Sequence, residues 1–237
     1  MKFFTVTKIL FFRLCFFLFL FPCLASAKPI VVLDAAHGGA DSGVKVGSEI
    51  EKDWDLKFAQ ALEKALQGAG FEVVEIRKRD ETITPDKRAE MINTAQGSAV
   101  LILHMDRDGF GSQKGPQLVV EPPTQGAETT EIPRWGAITP FQFRTSLKLA
   151  RAIASRLGME AQLSSLSDSR GSSGESLSPT SRLFCLPHES LRYLNSPAVV
   201  LTPLFLSSAS DLKKFSSADA ISEFATKVSL ALADFLQ

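Results

Sequence analysis

Cysteine is scarce in this chain: three in 237 residues. Cys15 and Cys23 fall in one apolar stretch at the amino terminus, which leaves Cys185 alone in the remainder. One cysteine closes no internal disulfide, so an apolar core must carry the stability. Charge of either sign is not in surplus: 26 basic residues face 26 acidic ones. Without residues 1–27, which hold three basic residues and no acidic one, 23 basic face 26 acidic, a formal charge of −3. That excludes the basic field a nucleic-acid partner needs. Histidine is equally scarce, with His37, His104 and His188 the complete set. A phosphate-binding glycine pattern is also missing. His37-Gly38-Gly39 belongs to no G-x-G-x-x-G and has no Lys-Ser/Thr pair behind it, which leaves a phosphate-loop α/β protein as a minor alternative. No internal repeat is visible.

A long hydrophobic run is lacking too. The apolar amino terminus is interrupted by Arg13 and Pro22 and is short for a membrane span. Lys2, Lys8 and Arg13 form a basic start, Cys15 to Leu24 an apolar core, and Ala25-Ser26-Ala27 a small-x-small cleavage site. That is the layout of a secretory signal peptide. Cleavage after Ala27 is expected, with the working chain running from Lys28 to Gln237 and located in the periplasm, outside the cell or on the cell wall. No stable membrane span would then remain. An uncleaved anchor is the alternative. A lipid on Cys23 is disfavoured by Pro22 before it and Leu24 after it.

The rest alternates between two periods. Ile30 to Leu33 is an apolar run bounded by turn signals, the pattern of a buried strand. Lys52 to Gly70 places Leu56, Ala59, Leu62, Leu66 and Ala69 on one helical stripe, with Gly70 as a stop. Phe71 to Ile76 follows as a strand, completing a β-α-β unit with a right-handed crossover. Thr84-Pro85 starts a helix that runs to about Ala95. Ala99 to Leu103 is a buried strand that ends at His104, and Gln117 to Val120 is a further strand. Residues 121–140, with four prolines, read as a long loop that could form a binding wall and carry no signature of a protein partner. Phe141 to Leu157 is helical, Ser164 to Thr180 a surface loop, Leu183 to Leu186 and Pro197 to Leu201 strands. Asp211 to Phe215 is a short helical turn and Ser217 to Leu236 a closing helix. The expected fold is α/β: a single domain with a mostly parallel twisted sheet and helices on both faces.

Chemistry concentrates at one edge of that sheet. His37 and His104 each stand just past the carboxyl end of a buried strand, where open α/β sheets build their sites. Glu51 stands at the start of the first helix. Two imidazoles and a carboxylate are a catalytic zinc ligand set, with one position left for water. Each residue also has a plain reading, as a packed or solvated histidine or as a glutamate opposing the helix dipole.

The run Val32-Leu33-Asp34-Ala35-Ala36-His37-Gly38-Gly39, then Asp41-Ser42-Gly43 and Glu51-Lys52-Asp53, resembles the zinc-dependent N-acetylmuramoyl-L-alanine amidases of cell walls. Arg77, Asp80, Arg88, Asn93, the strand ending at His104, Ser146 to Leu157 and Ser196-Pro197-Ala198-Val199 continue the likeness. The resemblance implies that His37, Glu51 and His104 hold Zn2+ and that peptidoglycan is the ligand. It also implies a catalytic glutamate at the end of the last strand. Here that strand reads Val199-Val200-Leu201-Thr202-Pro203-Leu204-Phe205, so Thr202 stands in the glutamate's place and Leu204 in that of a glycine. Ala36 replaces another glycine, and His104-Met105-Asp106 stands where the family has histidine-alanine-asparagine. Threonine does not titrate near neutrality, and general acid/base help is worth on the order of 10² to 10⁴ in rate. The expectation is therefore an exported amidase-family protein with weak or absent hydrolysis of the bond between muramic acid and L-alanine. A non-catalytic relative that binds cell wall or a partner, a pseudoenzyme, is the alternative. His188 and Glu189, shortly before the last strand, read as a solvent-facing loop pair and are the substitutes for the missing proton carrier.

Overall fold

A computed structural model describes residues 27–105, 114–124, 137–160, 163–165 and 182–236. The signal peptide expected over residues 1–27 lies outside them save for Ala27, as do Asp106 and most of the proline-rich and serine-rich stretches expected as loops. Among the described residues no helix is long and apolar enough to cross a membrane.

Nine strands and five helices are described. The strands are β1 (Ile30–Ala35), β2 (Lys45–Val46), β3 (Glu49–Ile50), β4 (Glu72–Glu75), β5 (Ala99–Leu103), β6 (Gln117–Val120), β7 (Leu163–Ser165), β8 (Leu183–Cys185) and β9 (Ala198–Thr202). The helices are α1 (Glu51–Gly68), α2 (Pro85–Ala95), α3 (Pro140–Leu157), α4 (Ala209–Lys214) and α5 (Ala218–Leu236). Seven strands form one sheet in the order β4-β1-β5-β9-β6-β8-β7. Only the β9–β6 junction is antiparallel. β4, β1, β5 and β9 therefore end at one edge, and β6, β8 and β7 run the other way. β2 and β3 form a separate small hairpin.

Central strands buried on both faces should read as continuous apolar runs. β1 and β5 do: Val31, Val32, Leu33 and every residue from Ala99 to Leu103 are inaccessible to solvent. On one face α1, α3 and α5 bury Phe58, Leu62, Leu66, Leu149, Ile153, Val228 and Leu232. Phe58, Phe215 and Phe224 meet edge-on there, with ring centroids 5.2–5.7 Å apart, a favoured aromatic geometry. On the other face α2 and the chain before β9 bury Ile92, Leu191 and Leu194 against Val32, Ile102 and Val200.

Helix boundaries follow their caps. The Thr84 hydroxyl accepts from the Lys87 amide, with Pro85 at the first helical position. Thr139 and Gln142 form a reciprocal capping box for α3, which satisfies two otherwise unpaired amides. The first helix begins at Glu51 rather than Lys52, because the Glu51 amide is taken by the Val44 carbonyl at 3.0 Å. Two readings need correction. Ser164 and Ser165 belong to the edge strand β7, not to a loop. Residues 189–191, expected as loop, form a 3-10 turn. Period-two patterning cannot reveal a strand of three residues, and a single turn leaves no stripe.

Candidate metal centre

β1 and β5 are parallel neighbours, with Ala35 opposite Leu103. Both histidines that follow them therefore leave the sheet at one edge. Glu51 enters from the first turn of α1 and is 1% exposed. Its Oε1 accepts from the Met105 amide at 3.1 Å and lies 3.1 Å from His104 Nδ1. Its Oε2 accepts from the Val44 amide at 2.8 Å and lies 3.3 Å from His37 Nε2. The two imidazoles meet edge-on, 5.0 Å between centroids. Candidate ligand atoms of His37, Glu51 and His104 all lie within 4.8 Å of one another. The three residues read from the sequence as ligands are thus brought together.

The loop that carries His37 is held in place at a conformational cost. His37 has φ 58°, a left-handed conformation rare in non-glycine residues and costing about 1–3 kcal/mol. Hydrogen bonds compensate. Gly38 and Asp41 exchange backbone bonds at 2.7 and 3.1 Å. Gly39 donates to Asp80 at 2.6 Å, and Ala40 to the Thr82 hydroxyl at 2.9 Å. Lys52 bridges the Gly39 carbonyl and Asp80, at 3.0 and 2.7 Å. Buried Arg77 donates to the carbonyls of Ala35, Ala36 and Lys52 at 2.7–2.8 Å. Arg88 donates to the Asp34 carboxylate and to the carbonyls of Ala35 and His37. Gly43 completes the approach: a Cβ there would stand 2.5 Å from Glu51 Oε2 and 2.7 Å from the His37 ring.

Electrostatics follow from this packing. Burial pushes the Glu51 carboxyl up, but hydrogen bonds with His104 and His37 outweigh it and hold the group well below the usual carboxylate range. Burial pulls His37 down, yet Glu51 and Asp41 outweigh it and leave the imidazole above its ordinary value. Asp41 Oδ2 lies 2.8 Å from His37 Nδ1, the carboxylate-behind-histidine arrangement that fixes a metal ligand's tautomer. Asp55, one turn along α1 from Glu51, is fully buried, and neither of its carboxylate oxygens has a hydrogen-bond partner among the described residues. Burial, then the nearby Glu51 charge, push its carboxyl well above the ordinary value, against the pull of Arg77.

A cleft of about 500 Å³ opens over the histidines, between Pro85 and Ala89 of α2 and the chain from His188 to Tyr193. His188 and Glu189 both line it. Glu189 is exposed as expected, whereas His188 is half-buried, with its ring 5.3 Å from that of His104. Thr202 lies elsewhere. Leu201 is in register with Leu103, so Thr202 ends its strand alongside His104, but it is 5% exposed and faces Gln117 of β6 in register. It is not among the residues lining the cleft. A second cavity of about 570 Å³, bordered by Arg182, Phe215 and Phe224, contains no member of the histidine cluster. Sequence reasoning missed Ser190, whose Oγ lies 3.4 Å from His104 Nε2; a serine in a loop carries no pattern.

The model of one protein family, described as N-acetylmuramoyl-L-alanine amidase, matches residues 31–234. The chain belongs to that family. Among curated relatives, uncharacterized protein YqiI of Bacillus subtilis is 28% identical over 115 residues, covering 47% of this chain and 55% of its own length. The probable cell wall amidase LytH of Staphylococcus aureus is 33% identical over 79 residues, covering 32% of this chain and 25% of LytH. This amidase-family chain thus spans about half of one relative and a quarter of the other. Among solved structures, the N-acetylmuramoyl-L-alanine amidase of Clostridium difficile 630 superposes with TM-score 0.66 at 20% identity, over 89% of this chain and 98% of that one. Ami1 of Mycobacterium abscessus gives 0.65 at 19%, over 89% and 100%. The CwlD amidase of Clostridioides difficile, solved in complex with the GerS lipoprotein, gives 0.65 at 18%, over 88% and 98%. These likenesses establish the fold.

Proposed function

We propose that this amidase-family chain is an exported zinc protein that engages peptidoglycan at the amide between muramic acid and L-alanine and hydrolyses it slowly or not at all. The observation that carries the reading is the contrast at one sheet edge. His37, Glu51 and His104 converge under an open cleft, while the end of β9 offers Thr202, Pro203 and buried Leu204. The donor set fits zinc: two imidazole nitrogens and one buried carboxylate, with Asp41 behind His37, match a catalytic site that keeps a position open. Zinc held there would polarise the scissile carbonyl.

This chain's own residues would hold the ligand geometry, seat a ligand between α2 and the His188–Tyr193 segment, and leave proton transfer unserved at Thr202. A hydroxyl neither takes up nor releases a proton readily at neutral pH, and the loss is worth on the order of 10² to 10⁴ in rate. The alternative, a purely non-catalytic peptidoglycan- or partner-binding relative, shares the cluster and the cleft. Digestion of purified muropeptides by the chain from Lys28 onward, with added zinc and with a chelator, tests the reading. Little or no release of free peptide, together with co-sedimentation on insoluble peptidoglycan, is the expected result. Robust, chelator-sensitive release would overturn the inactivity and make His188 and Glu189 the first residues to substitute.

A further inference from the structure

We infer that Ser190 is a positioning residue for the metal centre: its hydroxyl holds the outer edge of the His104 ring, as Asp41 holds that of His37. The inference rests on the zinc reading above.

Consider which nitrogen of each imidazole faces the shared carboxylate. In His37 it is Nε2, and the far nitrogen, Nδ1, meets Asp41. In His104 it is Nδ1, and the far nitrogen, Nε2, meets Ser190 Oγ at 3.4 Å. A metal-binding histidine presents a bare nitrogen to the ion and carries its hydrogen on the other one. That hydrogen needs an acceptor, and the acceptor sets both tautomer and ring rotation. Asp41 supplies a charged acceptor on one side. On the other side Ser190 supplies a neutral one.

The segment that carries Ser190 is built to hold its position. The His188 amide donates to Glu121 at 2.6 Å, and the Ser190 amide donates to His188 Nδ1 at 3.3 Å. Asn93 of α2 clamps the far end: its amide group donates to the Tyr193 carbonyl at 2.7 Å and its oxygen accepts from the Asn195 amide at 2.9 Å. Leu191 and Leu194 are buried beneath it. The His188 ring packs edge-on against His104 from the same turn. A serine on a floppy loop would order nothing, because fixing the loop would cost more than one hydrogen bond returns. Here Glu121, Asn93 and the buried Leu191 and Leu194 already order the segment, so the hydroxyl can hold the ring.

The test is zinc affinity, measured by competition with a chromogenic chelator, for the wild type, Ser190→Ala and Ser190→Thr. Removing such an orienting group costs about 10- to 100-fold in metal affinity. Ser190→Ala should bind zinc about 10-fold more weakly or worse, while its metal-free thermal midpoint stays at the wild-type value. Ser190→Thr, which keeps the hydroxyl, should return the affinity to near wild type. Nitrogen-15 spectra of the zinc-loaded protein should show His104 carrying its hydrogen on Nε2. Wild-type affinity in Ser190→Ala, or equal weakening in both variants, overturns the inference and leaves the zinc reading intact. Absence of zinc binding in the wild type itself overturns both, and is recognised before any substitution is made.

Discussion

The ends of β1 and β9 lie two strands apart on one sheet edge and are made of opposite materials. After β1 the chain is polar and bound at nearly every group: Asp34, Asp41, Lys52, Arg77, Asp80 and Arg88 all tie down the loop around His37 or its strand. After β9 it is apolar. Leu204 and Phe205 are buried, and the Phe205 amide is taken by Asp211 at 3.1 Å, away from the histidines. A metal site needs its ligands held in one geometry, and each buried polar group that holds them needs a partner of its own. A proton-carrying group needs a titratable side chain at the reacting atoms, and the β9 end offers Thr202 with buried Leu204 and Phe205 behind it. One region retains the demands of a metal centre. The other meets those of packing.

The comparison breaks most completely if the β1 side binds no metal. Metal analysis of the purified protein should find about one zinc per chain, and His37→Ala or His104→Ala should lose it, since two ligands rarely hold tetrahedral zinc. Stoichiometric zinc in the double variant would remove the site.

Next in size is restoration on the β9 side. Thr202→Glu should raise peptide release from peptidoglycan measurably, with about 10² to 10⁴ as the ceiling for a positioned acid/base. Thr202 is buried and Pro203 and Leu204 shape the strand end, so the single change should fall below that ceiling. Thr202→Glu with Leu204→Gly should exceed either change alone. A double variant as slow as the wild type would show that more than one group has been lost.

On the β1 side, Arg88→Ala should destabilise the fold by about 3–5 kcal/mol, because it leaves the Asp34 charge buried without its partner. Denaturant unfolding measures this directly. A change under about 1 kcal/mol would mean that the loop around His37 does not depend on the pair.

The smallest effect belongs to Asp55. Its carboxyl titrates higher in the folded chain than in the unfolded one, so above about pH 4 the folded state holds a proton that the unfolded state has released. Stability from this group therefore falls as pH rises, until the folded-state value is passed. Asp55→Asn, whose amide does not ionise, should remove that dependence, so that in chelated protein the variant gains on the wild type as pH rises through neutrality. Thermal midpoints recorded from pH 4 to 8 would show the flattened profile. A midpoint lowered at every pH would show that Asp55 accepts a bond the replacement cannot.

Local chemistry was enough to reveal much of this. The apolar runs at Ile30, Ala99 and Ala198, the Thr84-Pro85 start and the stop at Gly70 act within a few residues, so their strands and helix ends can be read directly from the amino-acid order. Two histidines behind buried strands and a glutamate at a helix start were legible for the same reason, once a parallel sheet brings strand ends together. What only the tertiary structure decided is which nitrogen of each imidazole meets Glu51, that Asp41 and Ser190 stand behind the rings, and that His188 reaches the cleft. It also placed Thr202 under cover rather than in the open. Those outcomes depend on groups separated by as many as 102 residues, brought within a few ångströms by sheet register and by a loop clamped between α2 and β9. Spacing along the chain has no term for such distances, because they are set by how the packed elements close on one another.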